Sequence, residues 1–163
     1  MNRLWFSLVL IAMLGLCYGC KKSSPEPAEE KPKYEFRYDA DLEVIGSDGR
    51  VKTTFQIEIA EGEQAVMQGL KYREIMAQNQ GMLFIFGVPD RYDFWMQDTY
   101  LPLDMLFIGA DKTIFQIHED AQPFSEERIS PSQIHKYVLE LNAGICKKLK
   151  IQTGDKISWK LKQ

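Results

Sequence analysis

Cysteine and histidine are scarce in this chain, and several kinds of signal are missing altogether. There are three cysteines (Cys17, Cys20 and Cys146) and two histidines (His118 and His135). So few cysteines cannot build a disulfide framework, and the fold has to rely on a packed core. Two histidines in different segments do not make a zinc site without carboxylate help, and no metal or cofactor is expected. Basic tracts are absent as well: acids outnumber Lys plus Arg by 23 to 20. A mildly acidic domain of this kind argues against nucleic acid as a partner. Finally, the sequence contains no G-x-x-x-x-G-K-[ST], no G-x-G-x-x-G, no G-x-S-x-G and no H-E-x-x-H, so the familiar nucleotide, hydrolase and metalloprotease chemistries have no signature here.

Long apolar runs are also lacking. The run Leu4–Leu16 is too short for a comfortable transmembrane helix, which needs about 20 residues. Preceded by Arg3 and followed by Gly19-Cys20, it reads as an export signal over residues 1–19. The small residue before a cysteine resembles a bacterial lipoprotein signal, in which Cys20 becomes the lipid-bearing first residue. The leucine usual three places before that cysteine is here Cys17, with Leu16 one place earlier. Residues 20–33 then contain KKSSPEPAEEKPK, a polar, proline-bearing stretch that behaves as a solvated tether. The expectation is a domain at the bacterial cell envelope, periplasm-facing, attached to the membrane through lipid on Cys20.

Removing residues 1–19 takes away Arg3 and no acid, so the formal charge moves from −3 to −4. It also leaves Cys146 as the one cysteine beside Cys20, so no internal disulfide is expected. Cys146 follows Ile145 in an apolar stretch and reads as a small buried hydrophobe rather than a nucleophile.

Residues 34–163 have the length of one domain and read as a series of strands. Leu42–Ile45 and Thr53–Ile59 flank Gly46-Ser47-Asp48-Gly49, a hairpin pattern. Leu103–Ile108 and Thr113–His118 flank Gly109-Ala110-Asp111-Lys112 in the same way. Gly81–Phe86, Phe94–Gln97, Lys136–Leu141 and Ile157–Leu161 complete about eight strands, with a loop over Ala121–Ser132. Glu63–Tyr72 is the best helix candidate, Val66 and Leu70 being four apart, and Ala143–Lys150 a second. Gly69 inside the first pattern points to close packing there. Hairpins rather than repeated βαβ units favour a mainly β domain, an antiparallel sandwich or barrel, with one or two short helices.

The segment Phe94–Ile108 sets Asp98 and Asp104 in an otherwise apolar, aromatic run. A carboxylate removed from water costs several kcal/mol unless something pairs with it. Extended backbone places Asp104 opposite Leu103, Met105 and Phe107, beside Leu106 and Ile108, so it faces a covered surface. Glu140, between Leu139 and Leu141, is a third acid of this kind. Arg73 and Lys71 are the candidate counter-charges, Arg being better suited to a bidentate contact. Two readings follow. Either an acid pairs with Arg73 or accepts backbone N–H bonds and fixes the Tyr100-Leu101-Pro102 corner, or Asp98, Asp104 and Glu140 converge with Trp95 on a ligand pocket.

Gln68-Gly69-Leu70-Lys71-Tyr72-Arg73, Gly81–Phe86, Phe94-Trp95-Met96 through Asp104, and Leu139-Glu140-Leu141-Asn142-Ala143-Gly144 together resemble the bacterial and archaeal domain of unknown function 192. The resemblance covers roughly residues 54–161. That family carries Asn-Thr where this chain has Asp98-Thr99, whereas Asp104 matches its pattern. It implies a small, mainly β domain, often exported, and assigns no activity, cofactor or catalytic residue. The expected function is non-catalytic binding of a small ligand or an envelope protein. Its candidate residues are Arg73, Trp95, Met96, Asp98, Asp104 and Glu140. The alternatives are a hydrolase or lyase using Asp104 and Glu140 as acid and base, and a structural scaffold.

Overall fold

A computed structural model describes residues 35–163. The expected signal, Cys20 and the whole of the tether lie outside the described residues. No helix among the described residues is long and apolar enough to cross a membrane.

Strands β1 (Ala40–Ile45) and β2 (Val51–Glu61) form the first expected hairpin. Helix α1 (Glu63–Gln68) follows, and β3 (Gln80–Asp90) then runs parallel to β2. This one pairing departs from the hairpin pattern read in the sequence. Residues 62–79 make the long crossover that parallel neighbours require. The helix stops short of Tyr72 because Gly69 takes φ 48, a left-handed conformation that glycine adopts without a Cβ penalty. A Cβ there would also sit 3.3 Å from the Phe84 ring, which is the close packing expected of this glycine.

Strands β4 (Leu103–Ile108) and β5 (Ile114–Ala121) form the second hairpin, and β6 (His135–Asn142) inserts between β3 and β4, antiparallel to both. Helix α2 (Ile145–Leu149) leads to β7 (Lys156–Leu161), which pairs with β1. The result is a seven-stranded sheet in the order β5-β4-β6-β3-β2-β1-β7. The sheet curls into a half-barrel, and its two outer strands approach each other at one end. There Thr113 bridges Lys156, and Ile114 donates its N–H to the Asp155 carbonyl at 2.8 Å.

The eighth expected strand, Phe94–Gln97, does not join the sheet. Phe94 bridges Ile129, and Met96 donates to the Ser125 carbonyl at 3.0 Å. Asp98 at φ 57 then turns the chain away from extended geometry. The segment crosses the outer face of the sheet as a covering loop.

That loop explains why the middle strands are apolar on both sides. The inner face carries Leu83, Leu106, Leu139 and Leu141. The outer face carries Met82, Phe84, Met105, Phe107 and Val138, packed beneath Leu70, Met96 and Ile129. All six residues of β4 are consequently buried. Truncating a ring such as Phe84 or Phe107 to Ala is expected to cost about 3–5 kcal/mol. Gly81 permits the close approach of β3 to β6, since a Cβ would lie 2.7 Å from the Glu140 carbonyl oxygen.

Candidate binding pocket

Register decides which acids meet. Asp104 lies opposite Leu141, and Met105 lies opposite Glu140. Partners in register share a face, so Asp104 belongs to the inner face and Glu140 to the outer one.

Asp104 is fully buried, and its carboxylate is engaged by backbone. Oδ1 accepts the N–H of Asp120 at 3.0 Å and that of Gly144 at 3.1 Å, while Oδ2 accepts the N–H of Cys146 at 2.9 Å. These bonds tie β4 to the far part of β5 and to the start of α2. Burial and the Asp104 charge push the Cys146 thiol far above its usual range, which keeps it inert. Of the two structural roles foreseen for Asp104, it takes the backbone clamp.

Arg73 does not meet Asp104 or Asp98. It forms a fork with Glu58, with Nη2 2.6 Å from Oε2 and Nη1 also bonded to Oε1, and both side chains are largely buried. Strand alternation puts Glu58 on the side of Thr54 and Gln56, opposite Phe55 and Ile57. Glu58 is enclosed because the α1 crossover covers that end of the strand. Asp98 instead lies 3.8 Å from Lys71, in a partly exposed pair worth little. Met96 is buried in the outer core and carries no polar function.

Glu140 is the exception among these acids. It is 5 % exposed, and its carboxyl makes no hydrogen bond or ion pair among the described residues. It opens into a pocket of about 210 Å³. One wall comes from the end of α1 and the following turn, Val66 to Lys71. Phe84 and Phe86 of β3 form the floor, and Tyr92, Phe94, Trp95 and Thr99 close the opposite side. The rings brace one another: Phe86 stacks on Tyr92 at 4.5 Å, and Phe84 meets Phe94 edge-on at 5.4 Å. Burial pushes the Glu140 carboxyl up to about 8, which keeps it neutral at pH 7. Of the six sequence candidates, only Trp95 and Glu140 line this space.

Beside the pocket lies His135, wholly buried among Phe86, Tyr92, Phe94 and Phe107. Neither of its ring nitrogens has a hydrogen-bond partner among the described residues. Burial lowers its pKa to about 4, against a smaller opposing pull from Asp90. It is an aromatic packing element at neutral pH. His118 lines a separate space with Asp120 and Glu127, and no group of three potential metal ligands occurs among the described residues.

The chain resembles proteins from both bacteria and an archaeon. A crystal structure of a protein from Sinorhizobium meliloti 1021 superposes with a TM-score of 0.73 at 41 % identity, covering 78 % of this chain and 98 % of that one. A protein of unknown function from Novosphingobium aromaticivorans DSM 12444 matches with a TM-score of 0.69 at 34 % identity, covering 73 % and 84 % of the two chains. A UPF0127 protein of the archaeon Pyrococcus abyssi is 28 % identical over 121 residues, 71 % of this chain and 96 % of its own. The family model described as uncharacterized ACR matches residues 44–159. With the match spanning β2 to β7 and both walls of the pocket, the chain belongs to the domain of unknown function 192 family.

Proposed function

We propose that this domain is a non-catalytic small-ligand binding module whose site is the aromatic pocket closed by Glu140. One observation carries this reading: a carboxyl group that is nearly enclosed, lacks a partner among the described residues and faces open volume. Buried polar groups are ordinarily hydrogen-bonded, so the missing contact is one a ligand can supply. The acid–base alternative loses support from the same geometry, because Asp104 and Glu140 occupy opposite faces of the sheet. The Sinorhizobium protein is named as a candidate transcription regulator. The acidic balance and the lack of a basic tract in this chain do not favour extending that role to it.

We further propose that the domain works at the bacterial envelope, tethered by lipid on Cys20. The support is the Leu4–Leu16 run, Gly19-Cys20 and the polar tether. Palmitate labelling of the wild-type chain and of Cys20→Ser tests the tether; equal labelling of the two would sink it. For the pocket, thermal unfolding of the full-length chain in detergent is followed with single-ring compounds. Stabilisation by some of them, weakened in Trp95→Ala at unchanged basal Tm, is expected. Absence of any stabilisation would overturn the binding reading.

A further inference from the structure

The pocket is small, and its size limits what can enter. A cavity of about 150 Å³ takes up benzene, so about 210 Å³ accommodates one ring with a short substituent. The walls are aromatic or aliphatic apart from a few polar groups, and the charges among these are unevenly satisfied. Lys71 has its ammonium 3.8 Å from Asp98. Asp93, at the rim, is held by Arg128 at 3.2 Å, and hydrogen bonds from Ser130 and Arg128 keep its carboxyl below the usual range. Arg128 itself also lies 6.0 Å from the centre of the Trp95 ring. On the sheet beneath, Glu58 and Arg73 neutralise each other. Glu58 pairs with Met82 and Met82 with Glu140, so the Glu58 backbone is two strands from that of Glu140, about 10 Å away at ordinary strand spacing. His135, packed against Tyr92 and Phe94, is neutral. The other charges named around the site each have a partner, and the Glu140 carboxyl has none among the described residues.

On the reading that this pocket binds a ligand, we infer that the ligand is a small organic cation. Its ammonium pairs with Glu140, and its ring lies against the faces of Tyr92, Phe94 and Trp95. An ammonium contributes what the site lacks in two ways at once. It supplies the counter-charge that lets an enclosed carboxylate ionise, and it is attracted to aromatic faces. A neutral ligand can accept from the protonated acid's O–H and donate to its C=O, but it brings no counter-charge for the ionised form. A carboxylate ligand would face Glu140 and Asp93 together.

The charge requirement makes the inference testable. Pairing with an ammonium requires Glu140 to release its proton. Cation binding should therefore expel close to one proton per site at pH 6.5 and strengthen about tenfold per pH unit until Glu140 is ionised in the free protein. The experiment is isothermal titration of the full-length chain in detergent. The probes are benzylammonium, phenethylammonium and tetramethylammonium, with benzyl alcohol as the neutral match, each run between pH 6 and 8.5 in buffers of different ionisation heat. We expect the cations to bind better than benzyl alcohol, with proton release, and to lose at least tenfold in affinity in Glu140→Gln, a variant that stays folded and is no less stable than the wild type over this pH range. Benzyl alcohol binding as tightly as benzylammonium, or cation affinity flat with pH, would overturn the cation and leave the pocket standing. No heat from any probe would overturn both.

Discussion

Asp104 and Glu140 lie one register position apart on adjacent strands and point to opposite faces of the sheet. Two buried acids with similar sequence surroundings thereby acquire different physics. One is saturated by three backbone N–H groups, and the other is left to the pocket.

Removing the Asp104 carboxylate should unfasten α2 and the end of β5. Hydrogen bonds to a charged acceptor contribute about 1.5–3 kcal/mol each, and orphaned N–H groups add a penalty. Asp104→Ala should therefore lose about 3–5 kcal/mol in urea unfolding, and Asp104→Asn somewhat less, since an amide oxygen still accepts. Pocket binding per folded molecule should be unchanged in Asp104→Asn. Normal stability in either variant would dismiss the clamp.

The Glu140 carboxyl, raised by burial to about 8, makes stability depend on pH in a known direction. Between about 4.5 and 8 the folded state holds a proton that the unfolded chain has released, so stability falls as pH rises through that window and levels off above it. The total loss is on the order of a few kcal/mol. Urea midpoints from pH 5 to 9 should show this slope in the wild type and lose it in Glu140→Gln. A slope surviving in the variant would mean that another group causes it.

His135 acts in the opposite sense and at lower pH. Its pKa falls from 6.5 to about 4, so between these values the unfolded chain takes up a proton that the folded chain refuses. Stability should be fully present above pH 6.5 and be lost as pH falls toward 4. His135→Phe keeps an aromatic ring in the Phe86–Tyr92–Phe94–Phe107 cluster and removes the titration. Its acid unfolding should be displaced to lower pH; identical acid curves would count against the assignment.

Breaking the Glu58–Arg73 fork leaves a charge enclosed without its partner. Arg73→Met alone should cost about 3–5 kcal/mol, whereas the double variant Glu58→Gln/Arg73→Met should recover a large part of that loss. A double-mutant cycle with additive single effects would show that the two side chains do not depend on each other.

Much of the architecture was readable from local pattern. The hairpin turns at 46–49 and 109–112, the alternation of β2 and β7, and the two-sided apolar character of β3, β4 and β6 all follow from side chains alternating along a strand. The same pattern marked Asp104 and Glu140 as acids in covered strands, and both are covered. Phe94–Gln97 shared the signature and yet is a loop, because burial beneath neighbouring segments demands apolar side chains whether or not the backbone joins a ladder. Glu58 escaped notice for the converse reason: its strand alternates as an exposed one would, and the element that buries it comes later in the chain.

The sequence by itself thus determined a mainly β domain, the places where its strands turn, and the presence of acids in apolar surroundings, because these depend on neighbours a few residues apart. Tertiary structure alone decided that β3 lies parallel to β2, that β6 enters between β3 and β4, and that Arg73 pairs with Glu58. It also separated the acids of the covered strands, giving Asp104 to the backbone and Glu140 to the pocket. Those outcomes depend on strand partners and covering loops remote in sequence, and a shift of one residue in register sends every side chain to the other face.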